Sequence, residues 1–103
     1  MRAKVEKLLS RLAEVEKRLG DPDTVKDQQL YKSLTQEHSY LSKIKEASDY
    51  LKKTEEELLK NKELLASEKE GELLNLIKEE ISSLEKETVL TEKKIQNLLS
   101  QPE

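Results

Sequence analysis

The spacing of the apolar residues limits what this chain can fold into more than any other feature. Val5, Leu8, Leu12, Val15 and Leu19 alternate at intervals of three and four, which on a helix places all five within about 80° of one another. The rhythm resumes at Leu30, Leu34, Leu41, Ile44, Leu51, Leu58 and Leu65, and again at Ile77, Ile81, Leu84, Thr88, Thr91, Ile95 and Leu98. Strands would repeat every second residue. A repeat of seven belongs to helices that each bury one stripe, with mild left-handed supercoiling. Glu37, Ser48, Glu55 and Lys62 occupy seam positions in the second stripe, so the core it forms is thin.

Two clusters of breakers divide the stripes. At Gly20-Asp21-Pro22-Asp23, Gly20 is expected to end the first helix in the left-handed conformation. Asp21 then caps the next helix, with Pro22 in its first turn. The second segment runs from about Pro22, with an irregular first turn before Asp27, to Ala66. Ser67 and Glu70 have the spacing of a capping box for the third segment, although Gly71 is a poor helix residue. Ser100-Gln101-Pro102 ends it. The helices expected are about 2–19, 24–66 and 70–100, roughly 25, 60 and 45 Å long at about 1.5 Å per residue. Short connections make them antiparallel neighbours. The fold class is therefore all-α: an antiparallel three-helix bundle or coiled coil with one short and two long helices, in a single domain over 1–103. The first helix can cover only the end of the second nearest residues 24–45. One end is then three helices thick and the other two.

Composition closes off most chemistry. With two Gly, two Pro and no Cys, the chain lacks the turns of a sandwich or barrel, a disulfide framework and a thiolate metal site. His38 is the one histidine; it reads as a surface or seam-edge residue, and no Glu-x-x-His pair or calcium loop accompanies it. No Gly-rich phosphate loop is present. The expectation is a binding or structural element, not an enzyme, with no catalytic residues, metal or cofactor. Tyr31, Tyr40 and Tyr50 share no single face and read as seam-edge packing. No apolar run is long enough to span a bilayer, and residues 1–20 lack a signal-peptide core, so a cytoplasmic location is expected.

The net charge of −3 gives no overall drive towards nucleic acid or anionic lipid. Its distribution is uneven. Residues 1–20 carry six bases against three acids, while 55–87 carry eleven acids against five bases. Most of the acids read as solvated helix surface with pairs such as Glu56–Lys60. Two surfaces are candidates for partner binding. One is a basic stripe on the first helix, Lys4, Lys7, Arg11 and Arg18, within about 60° of arc. It either faces phosphate or is matched internally by Glu80 and Glu87 of the third helix. The other is the two-helix end, where Leu58-Leu59, Leu64-Leu65 and Leu73-Leu74 double up. In each pair one leucine can face the partner helix and the other must point elsewhere, so this apolar tip is also where self-association is expected.

Asp21, Pro22, Asp27, Gln28, Tyr31, Leu34, Glu37 and Leu41 follow, in order and spacing, a pattern that resembles the N-terminal domain of bacterial-type class I peptide chain release factors. Residues 46–66 look like that family's long helix and 72–100 like its glutamate-rich return helix. Val25 and Tyr31 are more similar to the factor 1 branch than to the factor 2 branch, which usually has Trp near the place of Val25. The resemblance implies a helical arm reaching towards the ribosomal stalk base and GTPase-associated region. Neither the family's codon-reading motif nor its Gly-Gly-Gln loop is present. It therefore implies no release activity for this chain alone, weak or no nucleic-acid binding on its own, and no membrane partner. Met1 is expected to be the natural start, and the chain to be an excised first domain of a longer protein. The alternative reading is a free-standing cytosolic coiled-coil adaptor or tether.

Overall fold

The computed structural model describes residues 1–101. Among them 91% are helical and none is in a strand. The helices are α1 (Arg2–Leu19), α2 (Pro22–Lys26), α3 (Gln28–Ser67) and α4 (Gly71–Leu99). They form a rod of 64 × 24 × 20 Å. Its length is set by α3, whose 40 residues give about 60 Å at 1.5 Å per residue.

The first breaker cluster works as a cap, though not through a left-handed glycine. Gly20 has φ −84° and ψ −5°, and its N–H still bonds the carbonyls of Glu16 and Lys17. Asp21 then turns extended and its carboxylate accepts the N–H of Asp23 at 3.0 Å, with Pro22 in the first turn. The next helix starts so soon that the turn needs no positive φ.

The irregular stretch before Asp27 is a helix of its own, five residues long. Asp27 takes φ −94° and ψ 99° and accepts the N–H of Leu30 at 3.1 Å. A cap residue must leave helical geometry to reach that N–H, so one carboxylate splits the second segment into α2 and α3. At the far turn the expected capping box does not form. Ser67 is the last residue of α3 and its hydroxyl bonds Leu64 O. Glu70 caps α4, accepting the N–H groups of Glu72 and Leu73, while Glu68 accepts those of Lys69 and Glu70. Two glutamates outcompete the shorter serine.

Two clusters make the core. Leu12, Val15, Leu34 and Leu41 pack between α1 and α3, and Val5, Ile44, Ala47, Ile95 and Leu98 pack where α1, α3 and α4 meet. The α1 stripe is the one read from the sequence, and so is that of α4. In α3 the seam between the leucines is filled by Ala47 and Thr54, which are buried, and Asn61, which is half-buried. Glu55 and Lys62, given seam positions by a strict seven-residue repeat, are exposed. The alternation of three and four selects the neighbouring residue instead.

α4 runs back along α3 in a register fixed by two tyrosines. Tyr40 donates to Leu98 O at 2.8 Å, and Tyr50 donates to the Glu87 carboxylate at 3.1 Å. The N-terminus of α1 reaches α3 near Ser48–Lys52, further along than residue 45. Beyond that point α3 and α4 continue as a two-helix hairpin.

A candidate docking surface on the hairpin

The two candidate surfaces fare differently. The basic stripe is partly consumed at home. Arg11 donates through Nε and Nη2 to both carboxylate oxygens of Glu37, at 2.6 and 2.8 Å, and also lies 3.5 Å from Glu14. These hydrogen bonds hold the Glu37 carboxyl below the usual carboxylate range, against the opposing effect of burial, and push the Arg11 pKa up. Lys4 reaches Leu99 O at 3.5 Å, at the carbonyl end of α4. Arg18 is half-buried and its charge also lowers the Glu37 pKa. Lys7 is exposed.

Glu80 and Glu87 are not the internal partners of this stripe. α1 approaches α4 only near its end, through Val5 beside Ile95 and Leu98 and through Lys4. Glu87 instead accepts the Tyr50 hydroxyl, which raises that hydroxyl's pKa. His38 sits at the seam edge between Glu16, 3.2 Å from Nε2, and Ser42, 3.5 Å from Nδ1. Tyr40 and Tyr50 bridge α3 to α4, while Tyr31 is exposed.

The hairpin divides its doubled leucines as the pattern required. Leu58, Leu65 and Leu74 are half-buried in the seam, whereas Leu59, Leu64 and Leu73 are 60%, 49% and 46% exposed. Leu76, 60% exposed, belongs with them, although it is not one of a doubled pair. Its signal is the spacing of three from Leu73, which puts both on one flank of α4. Polar side chains in the seam are satisfied locally: Thr54 bonds Tyr50 O at 2.8 Å, Asn61 bonds Glu57 O at 2.9 Å and Thr91 bonds Glu87 O at 2.7 Å.

Among the described residues, ion pairing is confined to the other half. Among the described residues the pairs are Arg11–Glu14, Arg11–Glu37, Glu16–His38 and Lys45–Asp49. Glu56 and Lys60 do not pair, and none of these ion pairs falls in the acid-rich stretch 55–87. No group of three or more metal-binding side chains converges among these residues, and no helix is long and apolar enough to cross a membrane.

A rod of helices, closed at one end by a packed core and open at the other with leucines exposed, is a module that presents surface instead of enclosing a pocket. The chain belongs to the PCRF domain family, which it matches over residues 8–103. It is similar over its whole length to peptide chain release factor 1 of Treponema denticola, at 36% identity over 103 residues covering 28% of that protein. Peptide chain release factor 1 of Chlamydia pneumoniae is 35% identical, and that of Chlamydia trachomatis serovar L2 36%, again over the whole chain and 29% of each relative. The chain thus spans less than a third of the curated relatives it matches, in their N-terminal part. No solved structure matches it.

Proposed function

We propose that this chain is the N-terminal arm of a translation termination factor that works in the cytoplasm and contacts the ribosome near the stalk base. The observation that carries the reading is the match of all 103 residues to the N-terminal part of release factor 1 proteins. A free-standing adaptor would account for the heptads but not for that match. The arm has no release activity alone. The Gly-Gly-Gln loop implied by the resemblance cannot be formed by Gly20 and Gly71, the two glycines present.

Within the arm, the exposed leucines of the hairpin are the contact surface. Arg11 is already engaged with Glu37 and Lys4 with the end of α4, whereas leucines clustered at the end of a rod have no cover of their own. The test uses the full-length factor. Leu64→Ser with Leu73→Ser should weaken ribosome binding several-fold, while Lys4→Glu with Lys7→Glu should change it little. The reading of the tip fails if the leucine pair leaves both binding and release rate unchanged with helicity intact. Peptide release by the isolated arm would overturn the division of labour.

A further inference from the structure

At the base of the rod α4 stops while its neighbours continue. Its last turn is held from two sides: Tyr40 donates to Leu98 O at 2.8 Å, and Lys4 reaches Leu99 O at 3.5 Å. Residues 28–39 of α3 lie beyond that point, about 18 Å of helix. α1 runs on past it in the direction of α4, from Lys4 to Leu19. Ser100 keeps helical geometry at φ −87° and ψ −8°, and the Gln101 N–H bonds Leu98 O at 3.3 Å. The backbone therefore leaves α4 heading along its neighbours and has not turned back by Gln101.

What lies ahead of it is a groove between α1 and α3. Arg11 and Arg18 follow Lys4 at intervals of seven, a drift of about 20° per step, so both line the side of α1 that meets α4. On α3, Ser33 lies seven residues before Tyr40 and shares its direction to within about 20°; Ser33 and Gln36 are exposed. Glu37 forms the floor between the two walls, gripped by Arg11. Glu16 and His38 pair on the far side, since Glu16 points about 140° away from Arg11.

This groove has cations to spare. Its acids, Glu14 and Glu37, both pair with Arg11, and among the described residues Lys7 and Arg18 belong to no ion pair. Arg18 is half-buried, close enough to Glu37 for its charge to act on that carboxyl. RNA gains affinity with each phosphate neutralised, and two uncommitted cations offer it little. A carboxylate on the same polypeptide needs only one, because a short tether holds it at millimolar effective concentration. Arg18 lies about 21 Å beyond Lys4 along α1, a distance that extended backbone spans in about seven residues.

We infer that in the full-length factor the stretch following Glu103 lies in this α1–α3 groove and presents a carboxylate to Arg18. This rests on the reading of the chain as the N-terminal arm of a longer protein, and it makes the junction with the rest of that protein a held strut instead of a free joint.

The experiment uses the full-length factor without ribosomes. A photo-crosslinking side chain at position 33 should form an adduct within the same molecule, to the first ten or so residues after Glu103. The same side chain at position 17, on the far side of α1, should not. Arg18→Glu should speed amide hydrogen exchange in that stretch by about two- to fivefold, Arg18→Lys should keep most of the protection, and Lys17→Glu should change nothing. Adducts from position 33 to any other part of the factor, to a second copy, or to nothing overturn the inference. So does unchanged exchange in Arg18→Glu when circular dichroism matches the parent. A phosphate partner would show itself as weaker binding of protein-free ribosomal RNA by Arg18→Glu with exchange in the stretch unaltered, and that too overturns it. None of these readouts involves the ribosome, so their failure leaves the ribosome-contacting arm standing, and a negative result for the leucine pair leaves this contact standing.

Discussion

Arg11 of α1 grips Glu37 of α3 with two parallel hydrogen bonds, 2.6 and 2.8 Å long. Glu37 interrupts the apolar stripe of α3, and the interruption has a purpose: it receives a guanidinium from the helix packed alongside. Such a fork-to-fork pair fixes both the distance and the rotation of α1 on α3. It also lies beside the cluster of Leu12, Val15, Leu34 and Leu41, so orientation and burial act on the same stretch.

The pair makes part of the stability pH-dependent. The Glu37 carboxyl is held below its ordinary value by the Arg11 hydrogen bonds. A depressed folded-state value favours the folded form above the unfolded carboxylate pKa of about 4.3, and that contribution is lost as pH falls through the lower folded value. Glu37→Gln should therefore lower the urea midpoint at neutral pH and make little difference in strong acid. Equal losses at both pH values would mean that charge is not what the pair contributes.

Burial separates leucines that look alike in sequence. Leu12 and Leu34 are 3% and 2% exposed, while Leu59 is 60% exposed. Leu12→Ala and Leu34→Ala should each cost about 2–4 kcal/mol, and Leu59→Ala should stay within about 0.5 kcal/mol of the parent. Leu12 and Leu34 pack between α1 and α3 rather than where three helices meet, so the cost reports docking of α1. Urea midpoints that rank Leu59 as the costliest of the three would contradict the packing described.

Much of this fold was legible in the pattern of apolar residues. The stripes of α1 and α4, the break at Asp21-Pro22 and the alternation of buried and exposed leucines on the hairpin all follow from periodicity. Periodicity describes one helix at a time, however. It gave Arg11 a face but not a neighbour, so Glu80 and Glu87 were as eligible as Glu37 until α1 was seen to lie on α3. Caps were harder still. Ser67, Glu68 and Glu70 all offer an oxygen within four residues, and only the path of the backbone decides that the glutamates win. Doubling of leucines marks Leu59 but not Leu76, although both are 60% exposed.

Both glycines are replaceable. Neither has a positive φ. A Cβ on Gly71 would meet nothing within 4 Å, and one on Gly20 would meet only the Lys17 and Glu16 carbonyls at 3.5 and 3.8 Å. Alanine at such sites stabilises chiefly by restricting the unfolded chain, by about 0.4–1 kcal/mol. Gly71→Ala should raise the thermal midpoint, and Gly20→Ala should not lower it. A clear loss at Gly20 would restore the left-handed turn expected from the sequence.

The hairpin should also be the first part of the rod to open. In α3 no residue after Thr54 is buried, and in α4 only Ile77 and Leu84 are buried before Thr91. Its seam includes Thr54 and Asn61, whose polar groups bond carbonyls of their own helix and so do nothing to join one helix to the other. The base, in contrast, holds Val15, Leu41, Ile44 and Ile95 at no more than 1% exposure. Local opening follows buried apolar contact, so amides of residues 57–82 should exchange hydrogen faster than those of 34–48 under native conditions. If the hairpin leucines form the proposed contact, the difference should narrow when the full-length factor is bound to ribosomes. Equal protection of base and hairpin in the free protein would show that the two-helix seam is as strong as the three-helix core. Faster exchange that persists unchanged on the ribosome would show that the tip stays uncovered there.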